Sequence, residues 1–271
     1  MNTIKLIKNH KNKLIPIFFS CFKPLNFIVL LRNFLSFLSG PKWEDYINKN
    51  NLTYNSLIKK GISWIKSSQD KVGSGGVGCY EFYRWTKGYP EVTGYIIPTF
   101  FECFKIYDDI DLKNRAIRMT DWELSIQNLD GGWEGQYEGD GKPSIVFNTG
   151  QVLRGLISSF KETKDKKYLN SAIKAADWIV KNQDKDGSWS SANFKKMKRV
   201  YDTYVTAPLS ELYLITKNES YAKSCRKNCD FVLSQQNKNG WFNNADNTLL
   251  NNDAPVLHTI SYTIDGLIET G

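Results

Sequence analysis

The stretch "DWELSIQNLDGGWEG" (residues 121–135) closes a charged run with an aromatic residue, a glutamine five positions later, then a glycine and a tryptophan. The chain writes it again as "DWIVKNQDKDGSW" (177–189) and "DFVLSQQNKNGWF" (230–242). With Trp64 as the earliest member, the aromatic positions Trp64, Trp122, Trp178 and Phe231 stand 58, 56 and 53 residues apart, each followed by a glutamine: Gln69, Gln127, Gln183 and Gln236. A period of about 55 residues marks a repeat architecture, in which each unit buries its apolar face against its neighbours.

A second landmark recurs between these positions. "VTGYIIPTFFECF" (92–104), "NTGQVLRGLISSF" (148–160), "DTYVTAPLSELYL" (202–214) and "HTISYTIDGLIET" (258–270) align on Thr93, Thr149, Thr203 and Thr259. Threonine ahead of an apolar run with helical spacing is a helix-start signal, so each is expected to cap its helix by accepting a free backbone N–H. Charged amphipathic helices therefore alternate with helices apolar all round, the first kind outer and half-exposed, the second inner and buried. The expected fold is all-α: an incomplete α/α toroid of about four helical hairpins, over about 53–107, 111–163, 166–216 and 219–270, forming a domain over 51–271. A closed ring of six hairpins would need about two more, roughly 110 residues at this period, so homo-association or a partner chain is expected to complete the ring.

The alignment also decides between two readings of "YDDID" (107–111), which resembles an aspartate-rich magnesium box. It falls in register with "TKDKKYL" (163–169) and "TKNESYA" (216–222), the short turns from inner to outer helix, where Asp and Asn satisfy turn backbone groups. Connections in the other direction are long, over 70–91, 128–147, 184–201 and 237–257, and long connections on one side of a ring mark the working face.

Composition sets the outer limits. With 41% hydrophobic and 24% charged residues the chain is globular rather than disordered. The net charge of +8 is concentrated in the first 32 residues and in "KKMKR" (195–199), with no basic recognition helix, so no nucleic-acid partner is expected. Five cysteines, none in a CxxC pair, and only His10 and His258 provide no metal-site spacing; reduced thiols, a cytoplasmic location, no metal and no cofactor are expected. Residues 1–50 form an apolar and basic helical extension in which Lys23, Pro24, Asn26 and Arg32 break the run at 14–38. That disfavours a spanning helix and leaves two readings: helices packed on the domain, or peripheral contact of residues 1–40 with the inner face of the membrane.

The aromatic–glutamine–glycine–tryptophan pattern resembles the QW motif of terpenoid cyclases and related α/α toroids. Trp122–Gln127–Gly131–Trp133 and Trp178–Gln183–Gly187–Trp189 match it fully; Phe231–Gln236–Gly240–Trp241 lacks the spacer residue, and the first unit has no tryptophan after Gln69. The resemblance implies that the motif ties outer helices together. "GYPEVTGYIIPTF" (88–100), "FNTGQVLRGL" (147–156), "LSQQNKNGWF" (233–242) and "LHTISYTIDGLIE" (257–269) further resemble a bacterial and archaeal family of polysaccharide and lipopolysaccharide biosynthesis, labelled prenyltransferase-like or six-hairpin-glycosidase-like. The DxDD acid motif of the cyclases is absent, which weighs against terpene cyclisation.

Candidate chemistry follows from the long connections. Val92, Asn148, Asp202 and His258 each precede an aligned threonine and are expected at the cavity mouth, where Asn and Asp also serve as helix caps. Glu91, Glu134 and Asp202 supply carboxylates for acid–base work, with His258 or Tyr95 as proton carriers. Tyr80, Trp85, Trp133, Trp189 and Trp241 are candidate stacking residues, and Asn148 and Gln151 candidate hydrogen-bonding ones; for the motif tryptophans a purely structural reading stands beside this. The expected function is a carbohydrate-active toroid, of hydrolase, lyase or uronate-epimerase type, acting on an oligo- or polysaccharide in cell-surface polysaccharide biosynthesis. The alternatives are an isoprenoid-handling protein and a non-catalytic glycan-binding scaffold.

Overall fold

The computed structural model describes residues 53–81, 84–247 and 255–271. The N-terminal extension and its membrane contact lie outside the described residues; among those described, no helix is long and apolar enough to cross a membrane. The chain divides into two compact units, one running to Val72 and resuming over Gly78–Thr86, the other made of Gly73–Val77 and Lys87–Gly271.

In the smaller unit, α1 (Tyr54–Val72) is followed by a two-stranded antiparallel hairpin, β1 (Tyr80–Glu81) and β2 (Arg84–Trp85), with Tyr80 opposite Trp85. The Ser68 hydroxyl accepts from Gly78 N (3.0 Å) and donates to Gly78 O (2.7 Å), fixing the chain where it leaves the helix. Trp64, Tyr80 and Trp85 pack with ring centroids 5.1–5.8 Å apart.

The larger unit alternates inner and outer helices. The inner ones are α2 (Pro90–Tyr107), α4 (Val146–Thr163), α6 (Thr206–Thr216) and α8 (Leu257–Thr270). The outer ones are α3 (Ile110–Ser125), α5 (Lys166–Lys181) and α7 (Glu219–Ser234). Inner helices pack on one another in series, α2 on α4, α4 on α6, α6 on α8, and the outer helices lie against their own hairpins and, for α3 and α5, against the next outer helix. Twelve residues of α4 are buried and only six of α3, but inner α2 and α8 bury seven of 18 and three of 14 against seven of 16 in outer α5 and α7, so the inner–outer contrast expected from the sequence is clear only at α4. The product is an incomplete α/α toroid.

The short turns repeat to the residue. Asp108, Lys164 and Lys217 each take the left-handed conformation at the end of an inner helix, and Asp109, Asp165 and Asn218 cap the next outer helix by accepting from the N–H two residues on. "YDDID" is thus a turn: Asp108 ends α2, Asp109 caps α3 and Asp111 pairs with Arg115 at 2.8 Å.

The repeated motif works as a joint, each residue with its own task. Tyr168 and Tyr221, on α5 and α7, donate to Asp121 and Asp177 of the preceding outer helix at 2.9 and 2.8 Å. Trp178 Nε1 donates to Asp130 in the preceding connection at 3.0 Å, and Trp122 Nε1 to Glu138 at 2.8 Å. Gln127 reaches its own loop at Gly131 O and the next helix at Ser171 O (2.8 and 3.1 Å); Gln183 does the same at Gly187 O and Ser224 O (3.0 and 2.9 Å). Among the described residues, the Gln236 side chain keeps only the loop bond, to Gly240 O at 3.4 Å. Gln183→Ala is therefore expected to lower unfolding free energy by ~1–2 kcal/mol and Gln236→Ala by under about 0.5 kcal/mol. Equal losses in urea unfolding would contradict a joint between helices.

The threonines differ from expectation. Thr93 and Thr149 sit one turn inside their helices, whose N-cap positions are Tyr89 and Ile145, neither with a side-chain cap. Their hydroxyls accept instead from the long connections: Val77 N to Thr93 (3.0 Å) and Trp133 N to Thr149 (3.1 Å). A proline at the first position, with fixed φ and no N–H to satisfy, already starts α2, which frees its threonine to anchor the loop. Val77 therefore holds, in the first repeat, the place that Trp133 takes in the second.

Candidate functional site

The amino ends of α2, α4 and α8 and the long connections line an open cavity of about 280 Å³ in the larger unit. Helix α2 contributes Glu91, preceded by Tyr89; the start of α4 contributes Ile145, Phe147 and Asn148; α8 contributes His258, Thr259 and Tyr262. The connections add Gly135, Gln136, Asn193, Phe194, Tyr201 and Asn247. Relative to the aligned threonines, the residues two positions before (Glu91, Phe147, Tyr201) and one before (Asn148, His258) face this space.

Beneath the cavity lies an aromatic floor. Tyr204 and Tyr262 stack at 4.9 Å between centroids, and Tyr95 stacks on both, at 6.2 and 6.3 Å. The Arg154 guanidinium lies 4.5 Å from the Tyr204 ring and pairs with Glu269 at 2.8 Å. Phe147 meets Tyr201 and Tyr262 at 5.5 and 5.2 Å, and His258 stands edge-on to Tyr262 at 5.6 Å.

Two carboxyl groups are shifted by this setting. Burial raises Glu91 to about 7, against a smaller lowering by the Tyr89 hydroxyl, which donates to its Oε2 at 3.4 Å. Asp202, entirely buried behind the wall, is raised by burial to about 8, opposed by the Asn193 amide that donates to it and by Arg199. Both therefore hold protons under conditions where an exposed carboxyl has lost its own. Burial also pushes the Tyr95 phenol far above its usual range.

Of the residues singled out in the sequence, Glu91, Asn148 and His258 come together around the cavity. Asp202 stands one residue back, touching Asn193, and Tyr95 belongs to the floor. Val92 does not line the cavity; its neighbour Glu91 takes that place. Glu134 is committed elsewhere: its carboxylate accepts from Gly139 N and Lys142 N at 2.5 and 3.0 Å and so ties its own loop. Trp133 and Trp189 are wholly buried, each indole donating to a backbone carbonyl (Glu123 O at 3.0 Å, Ile179 O at 2.9 Å), so neither can stack on a ligand. Gln151 is also wholly buried, in the α2–α4 seam where its backbone carbonyl faces Gly94. Trp241 is 42% exposed but away from the cavity. Tyr80 and Trp85 belong to the smaller unit's aromatic cluster. Sequence reading missed Asn193, Asn247, Gln136, Phe194 and Tyr262; the first four lie on connections that carry no period, whereas Tyr262 was legible as one turn beyond Thr259.

Serial helical hairpins joined through an aromatic–glutamine motif, with one cavity at the amino ends of the inner helices, define an α/α-toroid protein. The chain belongs to the squalene-hopene cyclase C-terminal domain family, whose profile matches residues 91–265. No curated protein is significantly similar in sequence. Among solved structures, a possible GH105-family member from Salmonella enterica serovar Paratyphi A is similar at a TM-score of 0.66 and 11% identity, over 93% of this chain and 79% of that one. A GH76 α-mannanase of Bacteroides thetaiotaomicron is similar at 0.53 and 17% identity, over 67% of this chain and 51% of that one. A GH76 mannosidase of the same species gives 0.52 and 13%, over 67% and 54%. The chain spans about half the length of the GH76 proteins it matches, and at these identities the likeness concerns the fold.

Proposed function

We propose that the chain is a carbohydrate-active toroid protein that takes a glycan into the cavity lined by Glu91, Asn148, Tyr201 and His258, in the synthesis or trimming of cell-surface polysaccharide. The observation that carries the reading is Glu91 at about 7 inside an aromatic- and amide-lined cavity. A carboxyl group protonated near neutrality is what donation to a glycosidic leaving oxygen requires, and His258 at the mouth is the candidate partner base. Aromatic walls of Tyr89, Phe147 and Tyr262 suit the apolar faces of sugar rings. The toroid neighbours named for glycosidase families support the same class. The free cysteines, Cys103 and Cys225 buried among them, support a reducing, cytoplasmic setting.

Family membership favours one second reading, an isoprenoid-handling protein. The cavity weighs against it. At about 280 Å³ it lies at the small end of ligand sites, suited to one or two sugar rings rather than a long polyprenyl chain, and half its lining side chains are polar.

Thermal-shift titration with oligosaccharides is the test. A bound glycan at 100 times its Kd is expected to stabilise the protein by about 2.7 kcal/mol, and Tyr262→Ala to abolish the response. No stabilisation by any neutral or acidic oligosaccharide, with stabilisation by a polyprenyl phosphate instead, would turn the assignment to the isoprenoid reading.

A further inference from the structure

We infer that the cavity recognises an uncharged sugar ring, and that Asn148 and Asn193 together read one of its hydroxyl groups. This rests on the glycan reading above and narrows it to a substrate class. Both residues line the cavity, and both are almost wholly buried, at 5% and 3% exposure. Among the described residues, Asn148 Nδ2, a donor, and Asn193 Oδ1, an acceptor, are buried without a hydrogen-bond partner. Unmet buried amide atoms cost free energy, so a fixed acceptor on Asn193, beside an Asn148 amide free to present either end, calls for a group that donates as well as accepts. A hydroxyl does that with a single oxygen. A carboxylate only accepts, and leaves the Asn193 carbonyl unmet.

The orientation of Asn193 is fixed from behind. Its Nδ2 donates to Asp202 Oδ2, which leaves the carbonyl end for the ligand. Asp202 is thus a positioning residue: it touches no substrate and acts through the amide it holds. Charge points the same way. Among the described residues, the lining contains neither lysine nor arginine, and the acid it does contain is Glu91. A uronate carboxylate would lose its hydration with no fixed cation in the lining to offset the loss. Amides, hydroxyls and rings are the partners of a neutral hexose.

The experiment is calorimetric titration of the full chain at pH 6.5 with matched hexose and hexuronate oligosaccharides, and with monodeoxy analogues of the hexose series. Neutral sugar is expected to bind at least about tenfold more tightly than its uronate counterpart. One monodeoxy analogue is expected to lose about tenfold against the wild type but nothing further against Asn193→Ala, a coupling that a merely structural asparagine would not produce. If Asn193→Ala folds poorly, the deoxy series on the wild type decides: equal binding by every analogue overturns the hydroxyl-reading pair. Uronate binding as tight as neutral binding overturns the inference and leaves the glycan reading standing. Binding of neither class overturns the glycan reading itself.

Discussion

Glu91→Gln is expected to make the protein harder to unfold from about pH 6 upward while lowering turnover of any glycan it cleaves by ~10²–10⁴-fold, the range for loss of a general acid. The stability half follows from linkage. Folding raises Glu91 from 4.5 to about 7, so between these values the folded chain keeps a proton that the unfolded chain has released. Stability from this group is therefore greatest below about pH 4.5, falls as pH rises through about 7, and is then lower by about 3 kcal/mol. Glutamine removes the titration and with it the loss. Asp202, raised to about 8, and Glu123, wholly buried and raised well above its usual range, push in the same direction. Urea unfolding of wild type and Glu91→Gln at pH 5, 7 and 9 measures this: the gap should be small at pH 5, nearly complete at pH 7 and little larger at pH 9. Parallel curves across the range would show that Glu91 is not held protonated by burial. In the same series, wild-type turnover should decline above about pH 7 as the acid loses its proton.

Gly187→Ala is expected to cost ~3–5 kcal/mol, and Gly240→Ala at the matching position of the next repeat only ~1–2 kcal/mol. Both glycines have positive φ, +94° and +85°, so both substitutions carry backbone strain. They differ in what the added Cβ meets. At Gly187 it would lie 2.1 Å from Lys227 O on the next outer helix, whereas at Gly240 nothing lies within 4 Å. Gly131 behaves like Gly187, with Lys174 O at 2.5 Å. The excess cost at Gly187 is thus a reading of how closely connection and helix approach. Equal Tm losses for the two variants would show that the left-handed backbone alone, and not the approach of the next helix, requires glycine here.

The scaffold was legible because it is written several times. The aromatic-to-glutamine spacing located the outer helices, and the register of "YDDID" with two charged turns removed a metal box that a single reading would have kept. Thr93 and Thr149 were misread because a hydroxyl ahead of an apolar run looks the same in sequence whether it serves its own helix or a loop sixteen residues upstream. For Trp133 and Trp189 the sequence leaves a ligand-stacking reading beside a structural one; their complete burial and the carbonyls that receive their indole N–H groups place them in the core. Glu134 looked free for chemistry because loop carboxylates and loop clamps are the same residue type. The cavity itself is made largely by aperiodic connections, and Asn193 or Asn247 carries no mark that distinguishes it from any other polar loop residue.

The joints tie each outer helix to the next one along, yet the aromatic floor joins the first inner helix of the larger unit to the last, through Tyr95 on α2 and Tyr262 on α8. A ligand resting on Glu91 and His258 would span those same two helices. Occupancy would then act as a clasp. It would add a further long-range link beside the Tyr95–Tyr262 stack and the Arg154–Glu269 pair, so that the protein's slow breathing motions, and not only its melting point, would report whether the cavity is filled.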